Sequence, residues 1–380
     1  MLLEEHLNGH LEGGLNKQSL TKLRRAKMKK TVNKEAMELG TQGFTAQNTK
    51  LFTYTGSKFR FKKKFDELHA TLGEKIKVKT YIEGFAGTLA SLFHNLTHVE
   101  AQKYVINDFN KRIINLYKHI KASPDQLFRK LEALENEFQR IIPEEVRINR
   151  HASTEAKKGS FKNNHAFYQE AVTLLNTIPL DINHAALMLF VMQHNYRGLY
   201  QENSKGEFTT HFNWETKRTN TNKIKESLFN LHHFFNTNEV VFESMDVFEL
   251  VEKYDERDTF IYLDPPYAKS KIQYHKGTRS FIYTDTHEEL IEICNKQYNY
   301  VMYSNNFDET LCHHFQNHTS FERGKIKADS KLPTKEILGI KCNLGAYTPI
   351  VEILEIDTTS YAPINNTIDK SSLATQSHVA

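Results

Sequence analysis

Residues 260–267 read Phe-Ile-Tyr-Leu-Asp-Pro-Pro-Tyr, an apolar run that meets an acid, two prolines and an aromatic. The run suits a strand buried on both faces, as in a parallel sheet. The prolines cannot continue it, because each lacks an N–H donor, fixes its own φ and restricts the residue before it. The strand is therefore predicted to stop at Leu263 or Asp264 and to pass into a stiff, extended elbow. In open α/β sheets, ligands bind outside the carboxyl ends of the strands. The elbow thus delivers the Asp264 carboxylate, the donor-free carbonyls that precede and follow Pro266, and the Tyr267 ring to the place where chemistry is expected.

A carboxylate and a proline carbonyl are both acceptors, and together they can hold the two hydrogens of an amino group. Tyr267 offers a face for a stacked base, a contact worth roughly 1–3 kcal/mol in nucleic-acid complexes. An exocyclic amine is a poor nucleophile, and acceptors on both N–H bonds favour a more pyramidal nitrogen with its lone pair aimed outward. A sulfonium methyl placed in line could then be attacked, with orientation and a preorganised field supplying the acceleration. The competing reading is that Asp264 caps a turn or helix and the prolines only end a strand.

Asp264-Pro265-Pro266-Tyr267 after an apolar strand resembles the catalytic motif of DNA adenine-N6 methyltransferases. From about Tyr54 to about Asn343 the chain resembles the Dam-type group (D12 class, α-group motif order), whose target-reading segment lies between the cofactor and catalytic motifs. The resemblance implies transfer of a methyl group from S-adenosyl-L-methionine to N6 of adenine in duplex DNA, by base flipping and in-line attack. Asp264, Pro265, Pro266 and Tyr267 would be catalytic, with Asp264 also facing the cofactor. It further implies a cytoplasmic, nucleoid-associated enzyme, with a cognate restriction endonuclease as a candidate partner.

Three other segments extend the resemblance. Tyr54-Thr55-Gly56-Ser57-Lys58 is a small-residue turn ending in a lysine that can face a carboxylate. It stands where relatives carry aromatic-x-Gly-Gly-Lys, which implies cofactor contacts from Tyr54 and Lys58; a basic surface turn is the alternative. Val78–Glu83 reads as a strand, followed by a Gly84–Thr88 turn and a helix opening at Leu89. Relatives show Glu-Pro-Phe-x-Gly-x-Gly here, which implies cofactor contacts from Glu83, Phe85 and Gly87. This chain departs from the pattern at Gly84, in place of proline, and at Leu89, in place of the last glycine. About 20 residues after the glycine turn, a second strand, Tyr104–Asn107, runs into Asp108, which can accept ribose hydroxyls. The family shares this Asn-Asp-x-Asn. Asp108 as an N-cap is the alternative, and Asn110 could take that part. Val240–Phe248 reads as a further strand ending in an acid, and the resemblance gives Asp246 the cofactor's adenine amine, against a competing N-cap role.

Residues 194–212 carry glycines at 198 and 206 and a turn signal at Asn203–Gly206, and so are expected to form a hairpin. The segment resembles the family's Asn-Gly-Leu-x-Arg-x-Asn hairpin, which touches DNA. That implies DNA contacts from Tyr196, Arg197, Leu199, Gln201 and Asn203, with Tyr196, Leu199 and Tyr200 as candidates to wedge or stack. Leu199 also suits the hairpin's own small core. Arg197 stands in place of the usual Asn, and Gln201 in place of a base-reading arginine, so the target sequence is expected to differ.

The remaining features set boundaries. The net charge of +4 over 380 residues is compatible with a polyanionic partner. Three scattered cysteines and 19 histidines show no metal-ligand spacing, and no apolar run approaches a membrane span. Residues 1–50 form a basic extension with a helix expected over Ser19–Leu39. Residues 51–120 and 239–357 are expected to form the S-adenosyl-L-methionine-binding domain and 121–238 the target-recognition domain, with a disordered tail at 358–380. Within these, Ala268–Tyr283 is expected to cover a flipped base or touch phosphate. Ile350–Ile356 is expected as a late strand, and the lysine-rich stretch around 325–341 as a loosely packed rim. The fold class is α/β: a doubly wound, mostly parallel, Rossmann-like methyltransferase sheet with a helical and hairpin insert. Methylation of RNA adenine or cytosine N4, or a non-catalytic DNA binder on a decayed methyltransferase fold, stands as the alternative.

Overall fold

The computed structural model describes residues 43–54, 56–142, 159–214, 219–267, 281, 283–323 and 334–343. Its strands are β1 (Ile76–Glu83), β2 (Val99–Asn107), β3 (Glu239–Glu243), β4 (Thr259–Leu263), β5 (Tyr300–Asn306), β6 (Asn317–Arg323) and β7 (Thr334–Cys342). They form one sheet in the order β3-β2-β1-β4-β5-β7-β6. β1 to β5 are mutually parallel, and β7 runs antiparallel to both β5 and β6. The carboxyl ends of five strands therefore share one edge, and the order reverses between β1 and β4. That is the switch point at which such sheets bind ligands.

The helices are α1 (Lys62–Ala70), α2 (Ala90–Asn95), α3 (Lys111–Ala122), α4 (Pro124–Arg140), α5 (Lys162–Thr177), α6 (Ile182–His194), α7 (Thr221–Thr237), α8 (Val247–Lys253), α9 (Thr284–Gln297) and α10 (Glu309–Cys312). Alternation along each strand divides the core in two. Tyr81, Phe260, Tyr262 and Met302 face the side covered by α1 to α7. Ile82, Ile261, Leu263 and Val301 face the side covered by α8 to α10. β4 is buried at every residue, as a central strand must be when both faces are covered.

In the insert, α6 is the spindle. Its residues Ala185–Val191 are fully buried, and α3, α4 and α5 pack around it. Asp181 caps it, accepting from the N–H groups of Asn183 and His184.

Several expectations need correction. The strand expected over 240–248 ends at Glu243, because Ser244–Asp246 turns into α8. The supposed rim around 325–341 contains a structural strand: in β7, Ile337, Leu338 and Ile340 are buried between β5 and β6. Of the extension expected over 1–50, the described part packs into the core: Phe44 and Ala46 are buried, and Phe44 lies against Phe234 of α7. The Ser19–Leu39 helix, the 268–283 loop apart from residues 281 and 283, the late strand at 350–356 and the 358–380 tail lie outside the described residues.

Candidate active site

β4 ends at Leu263 as its prolines require, and Asp264 leaves the sheet at its central carboxyl end. There it meets Lys58, from a turn that precedes the first strand. The Lys58 ammonium donates to Asp264 Oδ1 at 2.8 Å and Oδ2 at 2.7 Å. The same ammonium donates to the Tyr267 hydroxyl at 3.0 Å and to the Gly56 carbonyl at 3.1 Å. Lys58 is 2% exposed and Asp264 18%, so the pair is largely out of water, where unmatched charge is costly. Burial pushes the Asp264 carboxyl up from its ordinary value, and Lys58 pulls it back down. Among the described contacts, the acid faces an ammonium and takes no N-cap role in a helix.

Neighbouring strands complete the corner. Ser304 of β5 donates to Asp264 Oδ1 at 3.0 Å, and Asn305 donates to the Pro265 carbonyl at 3.2 Å. The Tyr267 hydroxyl donates to Glu336 of β7 at 2.5 Å, which fixes the ring from its far end. Ser304, Asn305 and Glu336 were not singled out from sequence. The first two sit at the carboxyl end of a strand beside β4, and Glu336 is an acid that directly precedes the apolar Ile337-Leu338 pair of β7; both signals are present in the chain.

The turns after β1, β2 and β3 lie side by side. Asn107 holds them together: its amide donates to the Gly84 and Met245 carbonyls, and its oxygen accepts from the Met245 N–H. Asp108 Oδ2 accepts from the Gly87 N–H at 2.8 Å and Oδ1 from the Asn110 N–H at 2.9 Å. Asn110, not Asp108, caps α3. Gly87 has φ +46, and a Cβ there would meet nothing within 4 Å, so the turn borders open space. The departures at Gly84 and Leu89 have physical consequences. The Gly84 N–H donates to the Tyr262 carbonyl at 3.0 Å, a bond proline could not make. Leu89 takes the left-handed conformation a glycine would adopt freely (φ 60), and its side chain is fully buried.

Two residues expected at the cofactor also have local structural partners. Glu83 is enclosed in protein, with Oε2 accepting from Tyr81 at 2.6 Å and Oε1 from Ser91. Burial raises its carboxyl to about 8. Through these bonds it braces the turn from beneath. Asp246 does cap α8, accepting from the Phe248 N–H at 2.9 Å. Phe85 packs edge-on against Phe281, with rings 5.7 Å apart. Tyr54 is half-buried against Tyr200, at 5.9 Å.

The 194–212 segment folds back on itself through two antiparallel bridges, Asn195 with Phe212 and Glu202 with Phe208. Between them Tyr196–Gly198 forms a tight turn that exposes Tyr196 and Arg197. Arg197 has φ 55, a strained position for a long non-glycine side chain. Gly198 is obligatory: a Cβ there would lie 2.6 Å from the Thr53 carbonyl. Gln201 is exposed and Leu199 half-buried. Tyr200 cannot stack on a base, since it is fully buried and donates to Glu202 at 2.6 Å. The Asn203 side chain holds the second turn, accepting from the Lys205 and Glu207 N–H groups and donating to the Glu207 carboxylate. Among the described residues no helix is long and apolar enough to cross a membrane, and no group of three His, Cys, Asp or Glu side chains could hold a metal ion.

Comparison with known proteins agrees with this layout. Residues 54–329 match the family described as D12 class N6 adenine-specific DNA methyltransferase. The chain is 28% identical over 195 residues to Type II methyltransferase M.MjaIII of Methanocaldococcus jannaschii, covering 50% of this chain and 59% of that protein. It is 28% identical over 193 residues to Type II methyltransferase M1.LlaDCHI of Lactococcus lactis subsp. cremoris, covering 50% of this chain and 57% of that protein. The chain thus spans less than two thirds of the length of these curated relatives. With the family match running from the Lys58 turn through the Asp264 elbow and β5, this chain belongs to the D12 class N6 adenine-specific DNA methyltransferase family.

Proposed function

We propose that this chain transfers the methyl group of S-adenosyl-L-methionine to N6 of an adenine rotated out of duplex DNA. One count of acceptors carries the reading. An ionised carboxylate has about four lone-pair sites. Among the described contacts Lys58 takes two on Asp264 and Ser304 a third. Asn305 takes one of two on the Pro265 carbonyl. Each acceptor keeps one site, which matches the two hydrogens of an exocyclic amine. The Tyr267 ring, held at its hydroxyl by Lys58 and Glu336, offers the face on which the purine rests.

The open space beyond Gly87 and the Asp108 carboxylate beside it suit a nucleoside donor, with Asp246, Phe85 and Tyr54 as further candidate contacts. When bound, the donor supplies an electrophilic methyl group on sulfur. The residues of the chain hold the amine, orient its lone pair and keep its surroundings preorganised. Lys58 is assigned here to Asp264 and Tyr267, which it touches directly. Residues 121–238 form the target-reading part, with Tyr196, Arg197 and Gln201 exposed on its hairpin; rotating the base out costs a few kcal/mol, on the order of one stacked pair. Unmethylated genomic DNA and, in parallel, total RNA, each incubated with methyl-labelled S-adenosyl-L-methionine and the full chain, should yield labelled N6-methyladenine from the DNA on digestion. Label in cytosine, label only in RNA, or none at all would refute the proposal.

A further inference from the structure

Arg112 of α3 stands between the donor-side turn and the hairpin. Its guanidinium donates to Glu202 at 2.6 Å, to the Tyr200 hydroxyl at 3.2 Å and to the Gly206 carbonyl at 3.0 Å, all on the hairpin. Its other amino group donates to Asn176 of α5 at 3.1 Å. Asn176 in turn bonds the second arm, accepting from the Phe208 N–H at 2.8 Å and donating to the Phe208 carbonyl at 3.0 Å. The ion pair is sheltered, with Arg112 16% and Glu202 10% exposed.

The backbone of Arg112 belongs to the other side. Its N–H donates to Asn110, the Asn110 N–H donates to Asp108, and Asp108 accepts from Gly87. An unbroken run of hydrogen bonds thus links the glycine turn after β1 to both arms of the hairpin. We infer that Arg112, acting through Glu202, is a positioning residue that fixes the hairpin's placement relative to the donor-side turn. Buried Phe208 and Phe212 seat the arms, and Tyr168 donates to the Thr210 carbonyl at 2.8 Å; Arg112 adds the charged anchor at the Glu202–Gly206 end. A guanidinium suits the task because its fork satisfies several acceptors at fixed angles.

The inference rests on the proposed methyl transfer to duplex DNA, and its test separates the two. Initial rates of the full chain are measured against the concentration of PCR-amplified, unmethylated genomic DNA, and S-adenosyl-L-methionine binding is measured by calorimetry. Glu202→Gln should raise the KM for DNA roughly tenfold, the size of one lost charge-assisted bond. kcat and donor affinity should stay within about twofold, inside the usual scatter of independent sites. Arg112→Gln, which also gives up the bonds to Tyr200, Gly206 and Asn176, should raise the KM at least as much, and the double variant should be no worse than Arg112→Gln alone, since the ion pair is already lost in it. If Arg112→Gln does not fold, the isosteric Glu202→Gln decides alone. An unchanged KM overturns the inference, and so does a parallel loss of kcat, donor affinity and melting temperature, which would mean general loosening. A native chain that labels no DNA would sink methyl transfer itself; a native chain that labels DNA while both variants keep its KM would sink only the positioning role.

Discussion

The Asp264 corner and the 194–212 hairpin solve opposite problems. The corner gathers Lys58, Asp264, Ser304 and Glu336 from segments far apart in the chain and shelters opposite charges from water. The hairpin is one contiguous stretch, its arms tied down by Arg112 and Asn176 while Tyr196, Arg197 and Gln201 stay exposed. The corner resembles a preorganised field, in which every donor is aimed before a substrate arrives. The hairpin keeps its base and its turns rigid and leaves its surface to the partner. Chemistry common to a family can be fixed in the first kind of region, while target choice can drift in the second.

The largest effect should come from breaking the corner. Lys58→Met strands a sheltered carboxylate and should cost about 3–5 kcal/mol in chemical denaturation at neutral pH. The loss has a sign in pH. Asp264 is already pushed up by burial, and without Lys58 its folded-state value rises further above the unfolded one. The folded state then binds more protons than the unfolded one, so stability falls as pH rises through that interval. A variant as stable as the native chain would mean the corner is no more demanding than the hairpin surface.

Next comes the hairpin. Gln201→Ala should leave stability unchanged and lower discrimination between target sequences by about 1–3 kcal/mol, as read by sequencing the methylated adenines. Unaltered selectivity would remove Gln201 from base reading. A third test returns to the buried side. Glu83 has a folded-state value of about 8 against an ordinary 4.5. Between those values it keeps its proton folded and loses it unfolded, so it lowers stability with rising pH by up to about 1.4 kcal/mol per unit. Glu83→Gln should flatten that slope between pH 4.5 and 8 in denaturation curves. An unchanged slope would show that Glu83 is not the group responsible. The smallest effect belongs to Arg197. Arg197→Gly relieves a left-handed backbone and should add about 1 kcal/mol of stability while weakening duplex binding. Tighter binding would mean that the strained arginine works against DNA.

The same contrast explains what the sequence disclosed. β4 and its elbow were legible because proline chemistry is local and a run buried on both faces has a distinct pattern. The glycine turn and the Asn107-Asp108-x-Asn110 step were legible for the same reason. The partners of Asp264 were not, because Ser304 and Glu336 reach it only through the strand order, and the antiparallel β7 leaves no mark in the local pattern. Lysines around 325–341 suggested a rim, yet alternation put Ile337 and the apolar residues near it inside the sheet. Tyr200 looked like a stacking residue until its hydroxyl found Arg112 and Glu202, contacts that depend on how α3 meets the insert.

The central claim is that Asp264 acts on the target amine rather than merely holding the fold together. Single-turnover methyl transfer by Asp264→Ala, measured beside donor binding by the same variant, tests it most directly. The account predicts a loss of about 10³-fold or more in transfer, with donor binding largely retained. Transfer at the native rate would contradict it.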